Sequence, residues 1–176
     1  LGGWKFANTK DGSMAEYFHV NDAIANLAPI PDGLSDEQAA YCCDMLSTGF
    51  VAAEFGNIPI GGSVAVFGVG PIGMMAIVGA RLRGAGLVIG VESRPDRTSM
   101  ARKFGADLVV DFTKEDPVEA IRKATGGAGV DTAIEALGSP TTFAACVSAT
   151  RPSGTISNIG YHGDGDTVPI PRLDWG

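Results

Sequence analysis

Six residues restrict this chain more than any other feature: Gly68-Val69-Gly70-Pro71-Ile72-Gly73. An apolar pentapeptide, Ser63–Phe67, runs straight into them, and an apolar helical stretch with Met74, Met75, Ile77 and Val78 follows. A G-x-G-x-x-G set between strand and helix has the context in which this motif cradles a dinucleotide pyrophosphate. Gly68 permits the tight turn, Gly70 lets the backbone approach the phosphates, and Gly73 lets the helix pack closely on the strand. The helix N-terminus then offers N–H groups and the positive end of its dipole to the anion. A glycine-rich turn in any α/β fold is the bland reading. Glu92, closing the next apolar run about 20 residues later, tips the balance to a dinucleotide site.

The rest of the chain is patterned to match. Five short runs are built for strands: Ser63–Phe67, Leu87–Val91, Asp107–Val110, Val130–Glu135 and Gly154–Asn158. Between them lie helical stretches 71–83, 95–104, 117–124 and 140–149, each opening on a proline. Proline at a first helical position loses nothing, because that N–H has no partner in the helix. Apolar strands alternating with helices predict a parallel sheet covered on both faces. The expected class is α/β, a doubly wound parallel sheet of the Rossmann type with about five strands. Upstream, Met14–Val20 and Ile24–Ala28 read as short strands, Ser35 as a helix cap and Met45–Phe55 as a helix. The division expected is 1–44 as part of a second, incomplete domain with a connecting helix, 45–160 as the dinucleotide-binding domain, and 161–176 as its end.

Charge and composition exclude several functions. A formal net charge of −7 and no basic block argue against nucleic acid as a partner. No apolar run is long enough to span a membrane. Three cysteines, two of them the neighbours Cys42 and Cys43, fit a reducing, cytoplasmic setting. At the cofactor, Glu92 would accept hydrogen bonds from ribose hydroxyls and repel a 2′-phosphate, which favours NAD. Ser93 and Arg94 follow directly, and Arg97 lies close behind; a hydroxyl and guanidinium groups are what the 2′-phosphate of NADP would want. The Coulomb sign of Glu92 gives NAD the greater weight, with NADP open.

Four separated segments carry a resemblance: Gly2–Phe6, Asp44–Phe50, the Gly68–Gly73 loop and Pro169–Gly176. Together they resemble the zinc-dependent secondary alcohol dehydrogenases of the medium-chain dehydrogenase/reductase superfamily, across nearly the whole chain. The resemblance implies a catalytic zinc that polarises the alcohol oxygen while hydride passes to the nicotinamide. It implies Asp44 as a metal ligand, the remaining Cys and His-Glu ligands lying before Leu1, so that the zinc site here is incomplete. By position it places Trp4 in the substrate pocket, Thr48 beside the nicotinamide, and Ser93 and Arg94 on the 2′-phosphate. Phe112 stands where NADP-dependent members carry a Tyr near the adenine, and Tyr161 matches a residue near the cofactor. Those members have Gly where this chain has Glu92. His19 and His162 match no ligand and read as ordinary surface or loop residues.

The expectation is therefore the cofactor-binding part of an enzyme exchanging hydride between a small secondary alcohol or ketone and NAD(P). The intact protein would be a homo-oligomer, dimer or tetramer. The start at Leu1 and the count of five strands suggest a fragment, inactive alone. Three rivals remain: a zinc-independent enone or quinone reductase of the same superfamily, a non-catalytic dinucleotide-binding module, and a methyltransferase. Phe67 stands where a methyltransferase would more usually carry an acid before its first glycine.

Overall fold

The computed structural model describes residues 12–163 and 167–171. The chain divides into two compact units, Leu1–Ala39 and Ala40–Gly176. In the first, residues 12–22 contain no strand, and α1 (Ala23–Asn26) is a single helical turn. Both short strands expected there are thus corrected. The apolar residues of Met14–Val20 and Ile24–Ala28 suit a strand, but Met14 and Ile24 are fully exposed and, among the described residues, pair with no strand. Without a partner strand, β propensity alone does not hold an extended segment. Helix α2 (Asp36–Tyr41) begins with a reciprocal cap: Gln38 N donates to Ser35 Oγ at 3.3 Å and Ser35 N donates to Gln38 Oε1 at 3.0 Å.

The second unit runs through a π-helical turn (Cys42–Leu46) into α3 (Ser47–Phe55). There follow β1 (Ser63–Phe67), α4 (Pro71–Leu82), β2 (Leu87–Val91), α5 (Pro95–Lys103) and β3 (Leu108–Val110). Helix α6 (Pro117–Ala124), β4 (Val130–Glu135), α7 (Pro140–Ala149) and β5 (Thr150–Asn158) complete it. The strands form one sheet in the order β3-β2-β1-β4-β5, all parallel. This is the doubly wound arrangement, with its switch of direction beside β1.

Side-chain alternation explains why both faces must be covered. Val64, Val66, Val88 and Ile134 point to one side, against Ala76, Ile77 and Ala80 of α4. Ala65, Phe67, Ile89 and Ala133 point to the other, against Ile121 of α6 and Cys146 and Ala149 of α7. β5 starts at Thr150, earlier than the sequence pattern indicated, with a register shift between Val130 and Thr132. Pro152 and Ser153 (φ 62°) lie inside it and look like a break; the irregularity absorbs them.

Polar ties close the amino ends of the strands. Asp131 Oδ2 accepts from Ser63 N at 2.7 Å and from Ser63 Oγ at 2.9 Å, and its Oδ1 accepts from Arg151 Nε at 2.7 Å. Asp107 accepts from Val88 N at 2.7 Å and pairs with Arg81. These carboxylates pin one end of the sheet. The carboxyl end is left to the loops that make the site.

Candidate dinucleotide site

At the carboxyl ends of the strands lies a cleft of about 590 Å³. One wall is the glycine loop and the end of β2, with Gly68, Gly70, Glu92 and Ser93. The other is the β4–α7 connection, with Ala136, Leu137, Ser139 and Thr142. Arg94, Arg97 and Phe112 also line it. A crevice beyond the carboxyl ends, at the switch point of the strand order, is where open α/β sheets bind their ligands.

The loop geometry follows from its glycines. Gly68 has φ +85°, a conformation that L side chains rarely adopt. A side chain at Gly73 would collide with the carbonyl oxygen of Gly68, so the helix can start this close to the strand only because Gly73 has none. Helix α4 begins from Gly70 with Pro71 at its first position, and no side chain caps it. Its N-terminal N–H groups are therefore left to a ligand or to water. Val69 is fully buried and belongs to the core rather than the cleft. Pro71, Ile72 and Gly73 shape the loop from behind; the cleft itself is lined by Gly68 and Gly70.

Glu92 is 6% exposed, and its carboxylate is already engaged. Oε1 accepts from Ser93 N at 2.9 Å and from Arg94 N at 3.1 Å, while Oε2 faces Arg97 Nη1 at 3.5 Å. The weight on NAD assumed a carboxylate whose charge stood unopposed before the ribose. That premise is corrected: two backbone donors and a guanidinium oppose it. Arg94 extends outward and makes an exposed pair with Asp96, with Nη2–Oδ2 at 3.0 Å. That pair raises the arginine pKa and lowers the Asp96 carboxyl. An exposed ion pair in water gains little net stability, so it yields readily to a phosphate.

A residue that sequence reasoning passed over organises the opposite wall. Glu135, fully buried at the end of β4, accepts from Leu137 N, Gly138 N and the Thr142 hydroxyl, the last at 2.6 Å. It sits in an otherwise apolar strand, and a buried acid at a strand's carboxyl end was the signal available. His162 lies in the loop after β5, as expected, but is mostly buried. Its side chain is 11% exposed, with Nε2 2.8 Å from Asn158 Oδ1 and 3.6 Å from Glu135 Oε2, and its ring meets Phe143 edge-on at 5.8 Å. It is packed into the wall, not a surface residue. His19 is exposed.

Asp44, Thr48 and Tyr161 do not line the cleft. Asp44 is exposed on the π-helical turn and accepts from Thr48 Oγ1 at 2.9 Å. That turn adds a residue per hydrogen-bonded ring, yet the two side chains still meet one turn apart. Among the described residues no three His, Cys, Asp or Glu come together to hold a metal. Asp44 and Thr48 therefore do not make a zinc site by themselves. Tyr161 is half-exposed beside Gly138, where a side chain on Gly138 would strike the Tyr161 backbone. Trp4 lies outside the described residues. Among those residues no helix is long and apolar enough to cross a membrane.

Comparison with known proteins gives this geometry its family. The sequence profile of the zinc-binding dehydrogenases matches residues 71–174, more than half of the chain. The chain belongs to the zinc-binding dehydrogenase family. It is 48% identical over 177 residues to an NADP-dependent isopropanol dehydrogenase of Thermoanaerobacter brockii, covering 100% of this chain and 50% of the relative. It is 50% identical over 168 residues to an alcohol dehydrogenase of Cupriavidus necator, covering 96% of this chain and 46% of the relative. Among solved structures, the apo form of a zinc-dependent alcohol dehydrogenase from Streptococcus pneumonia superposes with a TM-score of 0.81 at 36% identity. That match covers 93% of this chain and 46% of the other. This zinc-binding dehydrogenase chain thus spans about half the length of the curated relatives it matches.

Proposed function

We propose that this chain is the cofactor-binding half of an alcohol dehydrogenase that exchanges hydride between a small secondary alcohol and NADP. The observation that carries the proposal is the opposed state of Glu92, next to Ser93 and two arginines on one cleft wall. Because Glu92 is matched by donors, Ser93 and Arg94 can serve a 2′-phosphate with much less repulsion from its charge. The names of the relatives support the same cofactor, and NADP replaces NAD as the expected one. Gly68 and Gly70 would take the pyrophosphate at the start of α4, and Phe112 would lie against the adenine end. Held there, NADP would supply the hydride acceptor for oxidation of the alcohol to the ketone. The chain's own part is to bind and orient. The wall held by Glu135 fixes one side of the cleft, and Thr48 donates its hydroxyl proton in a hydrogen bond to Asp44.

Within the same proposal, residues 1–44 belong to the catalytic domain of the intact protein, with Trp4, Asp44 and Thr48 near its reacting centre. Residues 45–160 and 161–176 form the dinucleotide-binding domain and its end, and the intact protein is a homo-oligomer. Calorimetric titration of the chain with NADP, NAD and S-adenosylmethionine tests the reading. Saturable binding of NADP, tighter than NAD by about tenfold or more, is expected, since hydrogen bonds to charged groups are worth about 1.5–3 kcal/mol. Binding of the methyl donor alone would sink it.

A further inference from the structure

Arg97 occupies a position that ties the two anion-facing parts of the cleft together. It stands on the first turns of α5, with its side chain about one-third exposed. Its Nη1 lies 3.5 Å from Glu92 Oε2, and the same nitrogen would be 3.9 Å from a Cβ built on Gly70. The guanidinium thus sits between the carboxylate that ends β2 and the glycine loop. Glu92 has its other oxygen filled by the N–H groups of Ser93 and Arg94. Among the described residues, Arg97 is the cationic side chain that pairs with Glu92. Arg94, though adjacent in sequence, turns to Asp96 instead.

From this arrangement we infer that Arg97 is a specificity-determining residue acting through Glu92: it neutralises the carboxylate and so admits a 2′-phosphorylated nucleotide to a pocket whose acid would otherwise reject it. A carboxylate and a phosphate dianion repel in a partly desolvated cleft, where Coulomb energies exceed their values in bulk water. Pairing the carboxylate removes most of that repulsion without removing the residue. Arg97 is therefore a positioning and charge-matching residue, while Ser93 and Arg94 are the groups offered to the phosphate. The inference rests on the NADP reading proposed above and adds to it the reason that Glu92 is tolerated.

The test is a double-mutant cycle on the 176-residue chain, read as dissociation constants for NADP and NAD, with thermal melting as the check on folding. Arg97→Gln should weaken NADP by about tenfold or more and change NAD by less than about threefold, because only NADP meets the uncovered carboxylate. Glu92→Gln/Arg97→Gln should bring NADP back to within about threefold of the unmodified chain, since no charge then remains to be matched. Arg97→Lys, which keeps the charge but not the fork, should recover part of the loss. Three results overturn the inference while leaving the NADP reading intact: an unchanged NADP affinity in Arg97→Gln, an equal loss for both cofactors, which would place Arg97 on the pyrophosphate, or no recovery in the double variant. An unmodified chain that binds neither cofactor overturns the reading beneath it as well.

Discussion

At the scale of single residues, the two ends of the sheet use buried or half-buried carboxylates for opposite purposes. Glu135 at the carboxyl end holds a loop open as a wall, by accepting from Leu137, Gly138 and Thr142. Asp131 at the amino end of the same strand ties β1, β4 and β5 through Ser63 and Arg151. The Ser63 backbone N–H, opposed by desolvation and helped by Arg151, holds the Asp131 carboxyl below its ordinary value of 3.8. A depressed carboxyl stabilises the fold above its unfolded pKa and loses that contribution as the pH falls through the folded value. Asp131→Asn should therefore lower stability at pH 7 by about 1.5–3 kcal/mol, the range for hydrogen bonds to a charged group. Below pH 3.8 the gap to the unmodified chain should begin to narrow, and it should close as the pH falls through the lower folded value, where both carry a neutral side chain. Urea midpoints at pH 7 and pH 3 measure this, and a gap that widens in acid would refute it.

At the scale of elements, the position of the glycine loop depends on how closely α3 and α4 approach. A Cβ on Gly49 would meet Ile72 O at 2.6 Å and Ala76 N at 2.7 Å, and one on Gly79 would meet Ala53 Cβ at 2.9 Å. The helices touch backbone to backbone, which seats α4 under the loop and places Thr48 next to the contact. Gly49→Ala puts two effects in competition. Helix propensity alone favours alanine by about 1 kcal/mol, whereas overpacking a closed contact costs about 1–3 kcal/mol. Backbone atoms at those distances cannot rotate away, so net destabilisation and weakened NADP binding are expected; a raised urea midpoint would show that α3 and α4 have room to separate. Much of this element scale was legible in the sequence. The prolines that open α4, α5, α6 and α7 marked four helix starts to the residue, and β1, β2 and β4 ran as their apolar patterns indicated. What escaped depends on partners remote in sequence. Ile24–Ala28 looked like a strand but begins as a helical turn with no strand paired to it among the described residues, and the loop residue His162 is folded against Phe143 and Glu135. The glycines and acid of the cofactor site could be read because their spacing is local. Arg97 against Gly70 could not, since only packing of α5 beside the loop creates it.

For the whole molecule, the balance of charge and the span of chain both bear on what it can do alone. A chain of net charge −7 gathers Arg94 and Arg97 on one wall of a cleft and sets the amino end of α4 against it. That local reversal of sign suits an anionic cofactor in a protein that otherwise repels anions. Binding should consequently survive in this chain, and at a free NADP concentration of 100 times Kd it should add about 2.7 kcal/mol of stability. Chemistry should not survive. Asp44 stands exposed with Thr48, and among the described residues no group of three His, Cys, Asp or Glu forms a metal centre around it. Dialysis of the chain against zinc followed by metal analysis should leave no stoichiometric zinc. With NADP and a secondary alcohol present, no reduced cofactor should accumulate above the protein-free rate. Stoichiometric zinc together with alcohol oxidation by these 176 residues would show that the reacting centre is complete within them, and would move the assignment from cofactor-binding half to whole enzyme.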